Sequence, residues 1–427
     1  MAKGRSPMTD VEDRLRKLRS LGVHKGTAHL KPAPPARRRY PVEDLVAGRV
    51  VENEAGAFYL VEETFPLHHA HGAPTLGDLL ACPCDVPARL ARDPAIADMD
   101  YRRAAFLDIE TIGLAGGTGT VAFMVGLGFY EDDALRVEQY FMRDFPEEPA
   151  MLTALARRLD EMDWLVSFNG RGFDLPILTT RFIMNRMPPR LADAPHLDLL
   201  FPARRLWKSR LESCRLSALE KAILGFYRDQ ADVPGYLVPQ IYFDYLRTGD
   251  AREIARVFYH NLYDIVSLAA LAGHMCRLLH APDTATAVPG EDLLRAAALL
   301  EQAGDAARAE AAYRRAIASP LSPEAREEAL HHLAVLLKRQ GRRDEAREIW
   351  RALAEARYGA DVAALVELAK DCEHRQRDYA AALAYTEQAL ARVQAWPPGA
   401  QKTRALAELQ RRAERLRGKA LAGGGAA

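Results

Sequence analysis

The stretch "FLDIETIGLAGGTGT", residues 106 to 120, constrains this chain most, because two carboxylates, Asp108 and Glu110, interrupt an otherwise apolar strand. Residues two apart on a strand point to the same face. Adjacent carboxylates facing one way repel each other, and if buried they also lose their hydration, so they need a compensating cation. A hard divalent ion such as Mg²⁺ or Mn²⁺ meets that need and usually takes further ligands from elsewhere in the chain.

Two other segments offer such ligands. In "LVSFNGRGFDLPIL", Asp174 follows a strand and opens a helix, with Asn169 five residues earlier; in "VFYHNLYDIVSLAAL", Asp264 lies on a helix with His260 one turn before it. Taken singly, Asp108 could be a turn residue and Asp174 the cap of its helix. Glu110 has no helix to cap, and the four acids together resist a structural explanation. Asp198 in "HLDLL" reads as a structural or supporting acid.

The loop holding Gly113, Gly116, Gly117 and Gly119 lacks a following Gly-Lys-Ser/Thr, so it is no nucleotide-binding P-loop. Either it lets a phosphate approach the backbone near Thr111 and Gly117, or it is an ordinary connection. Asn169, Lys208 and Arg210, with Arg215 nearby, are candidate contacts to a nucleic-acid backbone; a solvated helix face explains the cations equally well. His68, His69 and His71, and the pair Cys82 and Cys84, read as loop residues.

A length of 427 residues implies two or more folded units. Residues 1–40 carry 11 Lys/Arg against 3 Asp/Glu, which leaves 47 against 55 in the remainder. That segregation suggests a polyanionic partner for the N-terminus. The longest apolar run, "VAFMVGLGF", is nine residues, about half of what a bilayer requires. The charged N-terminus lacks a signal peptide's apolar segment, and five scattered cysteines suit reduced thiols, so the expected location is cytoplasmic.

Along the chain, residues 1–40 read as a short basic helix capped by Thr9 and Glu12 and then a proline-rich tail. Residues 41–100 contain a β-hairpin, "RVVENEAGAFYLVEETFP". In 101–285, three strands, a helix, a strand and further helices predict a mixed sheet flanked by helices. From 290 to 392 the stretches beginning at Gly304, Gly341 and Arg377 align at spacings of 37 and 36 residues. Each pairs a small residue (Ala309, Ala346, Ala382) with an apolar one seven residues on (Ala316, Leu353, Ala389). They resemble tetratricopeptide repeats, and a plain helical hairpin array is the alternative. A helical or disordered tail, 393–427, ends in "LAGGGAA", expected to be disordered.

The order Asp-x-Glu, then Asn-x-x-x-Phe-Asp, then an Asp preceded by His resembles the three motifs of the DEDD 3′–5′ exonucleases, a superfamily with the ribonuclease H-like fold. "GGTGT", "NGRGFDLP" and "HNLYDI" are similar to segments of the bacterial YprB-type proteins within it. The resemblance implies an α/β mixed sheet of ribonuclease H-like fold, followed here by the all-α tetratricopeptide-like domain, and metal-dependent phosphodiester hydrolysis with two Mg²⁺ or Mn²⁺ ions. It implies that Asp108 bridges both metals, that Glu110 and Asp264 hold the one binding the attacking water, that Asp174 holds the other, and that His260 is the general base. The branch with a His base has it five residues before the last Asp, which is Tyr259 here, whereas the Tyr branch has it four before, which is His260. Four residues along a helix fall about 40° past a full turn and five about 140°, so His260 shares a face with Asp264. DNA or RNA is the expected substrate and a protein the expected partner of the repeats, which should be separable after about residue 285. A catalytically silent nucleic-acid-binding scaffold is the competing reading.

Overall fold

The computed structural model describes residues 40–113, 119–188, 193–229, 232–283, 288–355 and 362–423. The expected basic N-terminal helix, Gly116 and Gly117 lie outside these residues.

The strands β1 (Arg49–Asn53), β2 (Gly56–Pro66), β3 (Ala104–Thr111), β4 (Ala122–Glu131), β5 (Ala134–Phe141), β6 (Trp164–Ser167) and β7 (His196–Asp198) form one sheet. Their order is β1-β2-β5-β4-β3-β6-β7. β3 runs antiparallel to β4 and parallel to β6, so the sheet is mixed as predicted. The hairpin β1–β2 joins its edge through β5, from Tyr59 to Pro66. β7 escapes a reading by alternation because only three residues pair.

β3 is apolar on both faces because both are covered. Ala104 and Phe106 belong to one core, and Ala105, Leu107 and Ile109 to the other. Asp108 and Glu110 continue the face of Phe106 toward the strand's C-terminal end. Helices α1 (Asp85–Ala91), α2 (Glu148–Leu159), α3 (Asp174–Met184), α4 (Leu200–Trp207), α5 (Val238–Thr248) and α6 (Arg252–His280) accompany the sheet, the expected α/β arrangement. Between α4 and α5, a short turn Leu216–Leu219 loosens into a π turn, Glu220–Leu224.

Among the described residues α6 is the one helix long and apolar enough to cross a membrane, which the sequence reading did not anticipate. Of its most apolar stretch, 72% is buried inside the protein, so its hydrophobicity serves a core.

The rest is all α: α7 (Gly290–Gln302), α8 (Ala306–Ala318), α9 (Pro323–Arg339), α10 (Arg343–Glu355), α11 (Val362–Asp371), α12 (Tyr379–Gln394) and α13 (Ala400–Gly423). Gly304, Gly341 and Arg377, the three aligned positions, all adopt left-handed backbone, with φ of 80°, 84° and 53°. All six spaced contact residues, Ala309, Ala316, Ala346, Leu353, Ala382 and Ala389, are buried. Buried Glu373 ties α13 down through Arg412, Arg415 and Lys419. α13 continues to Gly423, and the last four residues of "LAGGGAA" lie outside the described residues.

Among the described residues, one core runs from the sheet-flanking helices into α7. Leu206, Trp207, Leu271, Met275 and Leu278 share one core with Leu293, Leu294, Ala297 and Leu300 of α7. Asp292, 4% exposed, accepts from Trp207 Nε1 at 3.2 Å and from Nε and Nη2 of Arg210, both at 2.8 Å.

Candidate active site

Asp108 lies opposite Gly126 of β4. A Cβ on Gly126 would stand 2.3 Å from Oδ1 of Asn261, and one on Gly128 2.5 Å from Cγ2 of Ile265, so these glycines let α6 settle directly on the sheet. Fully buried Asn261 then donates from Nδ2 to Oδ2 of Asp108 at 2.9 Å, while its Oδ1 accepts from Nε2 of Gln139 at 3.0 Å. This amide fixes the Asp108 carboxylate and the depth of α6 together.

Asp174 arrives through the loop after β6. Asp198 on β7 accepts from the backbone N–H of Asn169 at 2.7 Å, Leu200 at 3.1 Å and Arg171 at 3.2 Å, and is 3% exposed. It is the supporting acid of the loop. Asn169 takes left-handed backbone, φ 68°, and turns the chain at Gly170, where a Cβ would meet Oγ of Ser167 at 2.3 Å. Asp174 then lies within the first turn of α3; Phe173, not Asp174, holds the cap position. Its Oδ1 accepts from the N–H of Ile109 at 3.2 Å, which binds this second motif to β3 between the first two acids.

On α6, Nε2 of His260 stands 3.5 Å from Oδ2 of Asp264. Nδ1 of His260 is hydrogen-bonded to Oδ1 of Asp232 at 2.7 Å. Tyr259, by contrast, accepts from the N–H of Asp229 through its hydroxyl at 3.2 Å and packs on Tyr263. Arg228 is hydrogen-bonded to Asp264, Glu220 and His260.

Glu110, His260 and Asp264 each offer a ligand atom within 4.8 Å of the others, the one such group among the described residues. Burial, Asp264, Glu110 and Asp174 push the Asp108 carboxyl well above its usual range. Burial, Asp264 and Asp174 do the same to Glu110. Asp174 is raised to about 7, chiefly by burial, against the pull of its backbone hydrogen bonds. Burial pulls His260 down, but Asp232 and Asp264 outweigh it and leave the imidazole raised. Four crowded carboxylates and one imidazole, short of positive charge, are a donor set that suits a hard divalent cation. Asp108, Glu110, Asp174 and Asp264 are the residues that could hold one.

The expected nucleic-acid contacts divide. Arg210 is engaged with Asp292, and Thr111, 5% exposed, donates its hydroxyl to the carbonyl of Gly113 at 2.7 Å, so both are tied to the protein itself. Lys208 and Asn169 line a cleft of about 740 Å³ with Phe168, Arg204, Glu212 and Arg215. Its charged side chains, Arg204, Lys208, Arg215 and Glu212, are all exposed, three cations to one carboxylate on a body that is otherwise net acidic.

The residues of this site unforeseen in the sequence are Asn261, Gln139, Arg228, Glu220 and Asp232. Asn261 carried one local signal, its place between His260 and Asp264 on one helical turn; the others depend on contacts distant in sequence.

The RNase H superfamily is matched by residues 105–276. The chain is also 31% identical, over 333 residues, to "Uncharacterized protein YprB" of Bacillus subtilis (strain 168), an alignment covering 77% of this chain and 79% of that protein.

Proposed function

Because this chain belongs to one family with YprB, built on an RNase H superfamily domain, we propose that it is a metal-dependent nuclease, and specifically a 3′–5′ exonuclease acting on DNA or RNA. The observation that carries this reading is the convergence of Asp108, Glu110, Asp174 and Asp264, from one strand and two helices far apart in sequence, beside His260. Asp108, Glu110, Asp174 and Asp264 would hold two Mg²⁺ or Mn²⁺ ions, which supply Lewis acidity for the charge developing at a scissile phosphate.

His260 is the general base of this proposal. Asp232 holds its Nδ1, so Nε2 is directed toward Asp264 and the cluster, where it takes the proton of the attacking water. Asp108 keeps its orientation through Asn261 and Asp174 through Ile109, which limits the reorganisation needed as charge develops. Arg204, Lys208 and Arg215 guide the phosphodiester backbone along the cleft beside Asn169. The C-terminal helices, with left-handed turns at equivalent positions and small residues at their contacts, act as tetratricopeptide-like repeats that recruit a protein partner. Five free cysteines suit the cytoplasm as its location.

The test is incubation with 5′-labelled single-stranded and duplex DNA and RNA, with Mn²⁺, Mg²⁺ or EDTA, alongside Asp108→Ala. A metal-dependent ladder shortening from the 3′ end, absent in the variant, is the expected result. Internal cuts would replace the exonuclease by an endonuclease, and binding without cleavage would move the assignment to a silent nucleic-acid-binding scaffold.

A further inference from the structure

Arg228 enters the carboxylate cluster from the segment after the π turn, and its side chain is 7% exposed. Glu220 holds it from behind, accepting from Nη2 at 2.6 Å and from Nε at 3.0 Å. Glu220 is itself fixed by Ser267, whose hydroxyl donates to Oε1 at 2.5 Å. Ser267 in turn accepts from Nε2 of His71 at 2.8 Å, and burial, pushing His71 down to about 3, keeps that imidazole neutral. Ser267 and His71 thus anchor Glu220 without balancing its charge, and the guanidinium does so.

The opposite side of Arg228 faces the site. It donates to Oδ1 of Asp264 and approaches Nδ1 of His260 at 3.2 Å, while Oδ2 of Asp264 faces Nε2 of His260. Both oxygens of Asp264 are therefore engaged by basic side chains of the protein. Asp108 and Asp174 are placed differently, each bonded through one oxygen to an amide. Of the four acids proposed to hold metal, Asp264 alone has a guanidinium against it among the described residues.

We propose that Arg228 is a resident cation that stands in for the second divalent ion until nucleic acid binds, so that the two ions load in sequence. At rest it shares its one positive charge between Glu220 and Asp264, which lessens the repulsion of Asp264 against Glu110. A guanidinium pairs with a phosphate as readily as with a carboxylate, in the same forked geometry. When a strand enters, Arg228 exchanges Asp264 for a backbone phosphate, and Asp264 becomes free to ligate the second ion. This inference rests on the metal-dependent nuclease reading and adds to it an order of loading and a phosphate-binding role for Arg228.

The test counts ions without reading cleavage. Chelator-stripped full-length protein is titrated with Mn²⁺, free ion is followed by electron paramagnetic resonance, and sites are counted relative to an Asp108→Asn/Glu110→Gln chain. Wild type should hold one ion alone and two when saturated with a phosphorothioate-linked single strand. Arg228→Gln alone leaves Glu220 buried and unpaired, so Arg228→Gln/Glu220→Gln, which removes both charges of the pair, is measured beside it and should hold two ions without a strand. Arg228→Lys should return the count to one. Two ions in wild type without a strand, or one in the double variant, overturns the stand-in role alone and leaves the nuclease reading in place. No ion above the reference in any chain overturns the metal site itself.

Discussion

Gly126→Ala tests whether the site depends on how deeply α6 sits against the sheet. The new Cβ would lie 2.3 Å from Oδ1 of Asn261 and 2.9 Å from its Cγ and Nδ2. Ordinary contact is roughly 3.5 Å, so relief requires a displacement of roughly 1 Å. The amide cannot rotate aside cheaply, since it is fully buried and bonded to both Asp108 and Gln139. The helix must therefore shift, carrying His260 and Asp264 with it. Misplacing reacting groups by about 1 Å costs about 100-fold in rate, or about 2.7 kcal/mol of barrier. Overpacking itself should destabilise the fold by about 1–3 kcal/mol. Single-turnover cleavage of a 5′-labelled strand, paired with urea melts, measures both. A variant that cleaves within twofold of wild type and melts at the same urea concentration would refute the idea that Gly126 sets the site's geometry.

Asp174, raised to about 7 in the metal-free protein, should make stability fall as pH rises from about 4, its ordinary value, to about 7, because over that window the folded chain keeps a proton the unfolded chain releases. Asp174→Asn should flatten that fall in thermal melts run in EDTA; an identical slope would count against the assignment. Lys208→Glu should raise KM for nucleic acid about tenfold and reduce the salt slope of binding by about one without changing the melting temperature, whereas an unchanged KM would exclude the cleft as the strand's path. Truncation after residue 285 removes Asp292, Leu293, Leu294 and Leu300; at about 1.5–3 kcal/mol per buried leucine, the remaining chain should lose several kcal/mol of stability, seen as a lower urea midpoint, and wild-type stability would refute a shared core.

The sequence carried the central features because their signals are local. The alternation of the β1–β2 hairpin, the strands β3 to β6, and the spacing of Asp108 with Glu110 and of His260 with Asp264 each reside within one short segment. The same locality accounts for the aligned helical turns, since Gly304, Gly341 and Arg377 recur at near-equal intervals and each takes left-handed backbone. What escaped was long-range. Arg210 is paired with Asp292, 82 positions away, a contact that no local pattern announces. His71 lay in a histidine-rich loop with no helical ligand spacing, yet it supports Glu220 through Ser267, 196 residues further on. Asp198 was legible as a supporting acid, but not the three backbone amides that it gathers.

Helix α6 carries Asn261 and Asp264 toward one end and Met275 and Leu278 toward the other, where they share a core with α7. At about 1.5 Å per residue, the 29 residues form a rod roughly 40 Å long. Chemistry and array are thus mounted on a single beam. A chimera that borrows the sheet without the helices behind it inherits half a core, and a partner that strains the array strains the footing of the helix that carries the last acid.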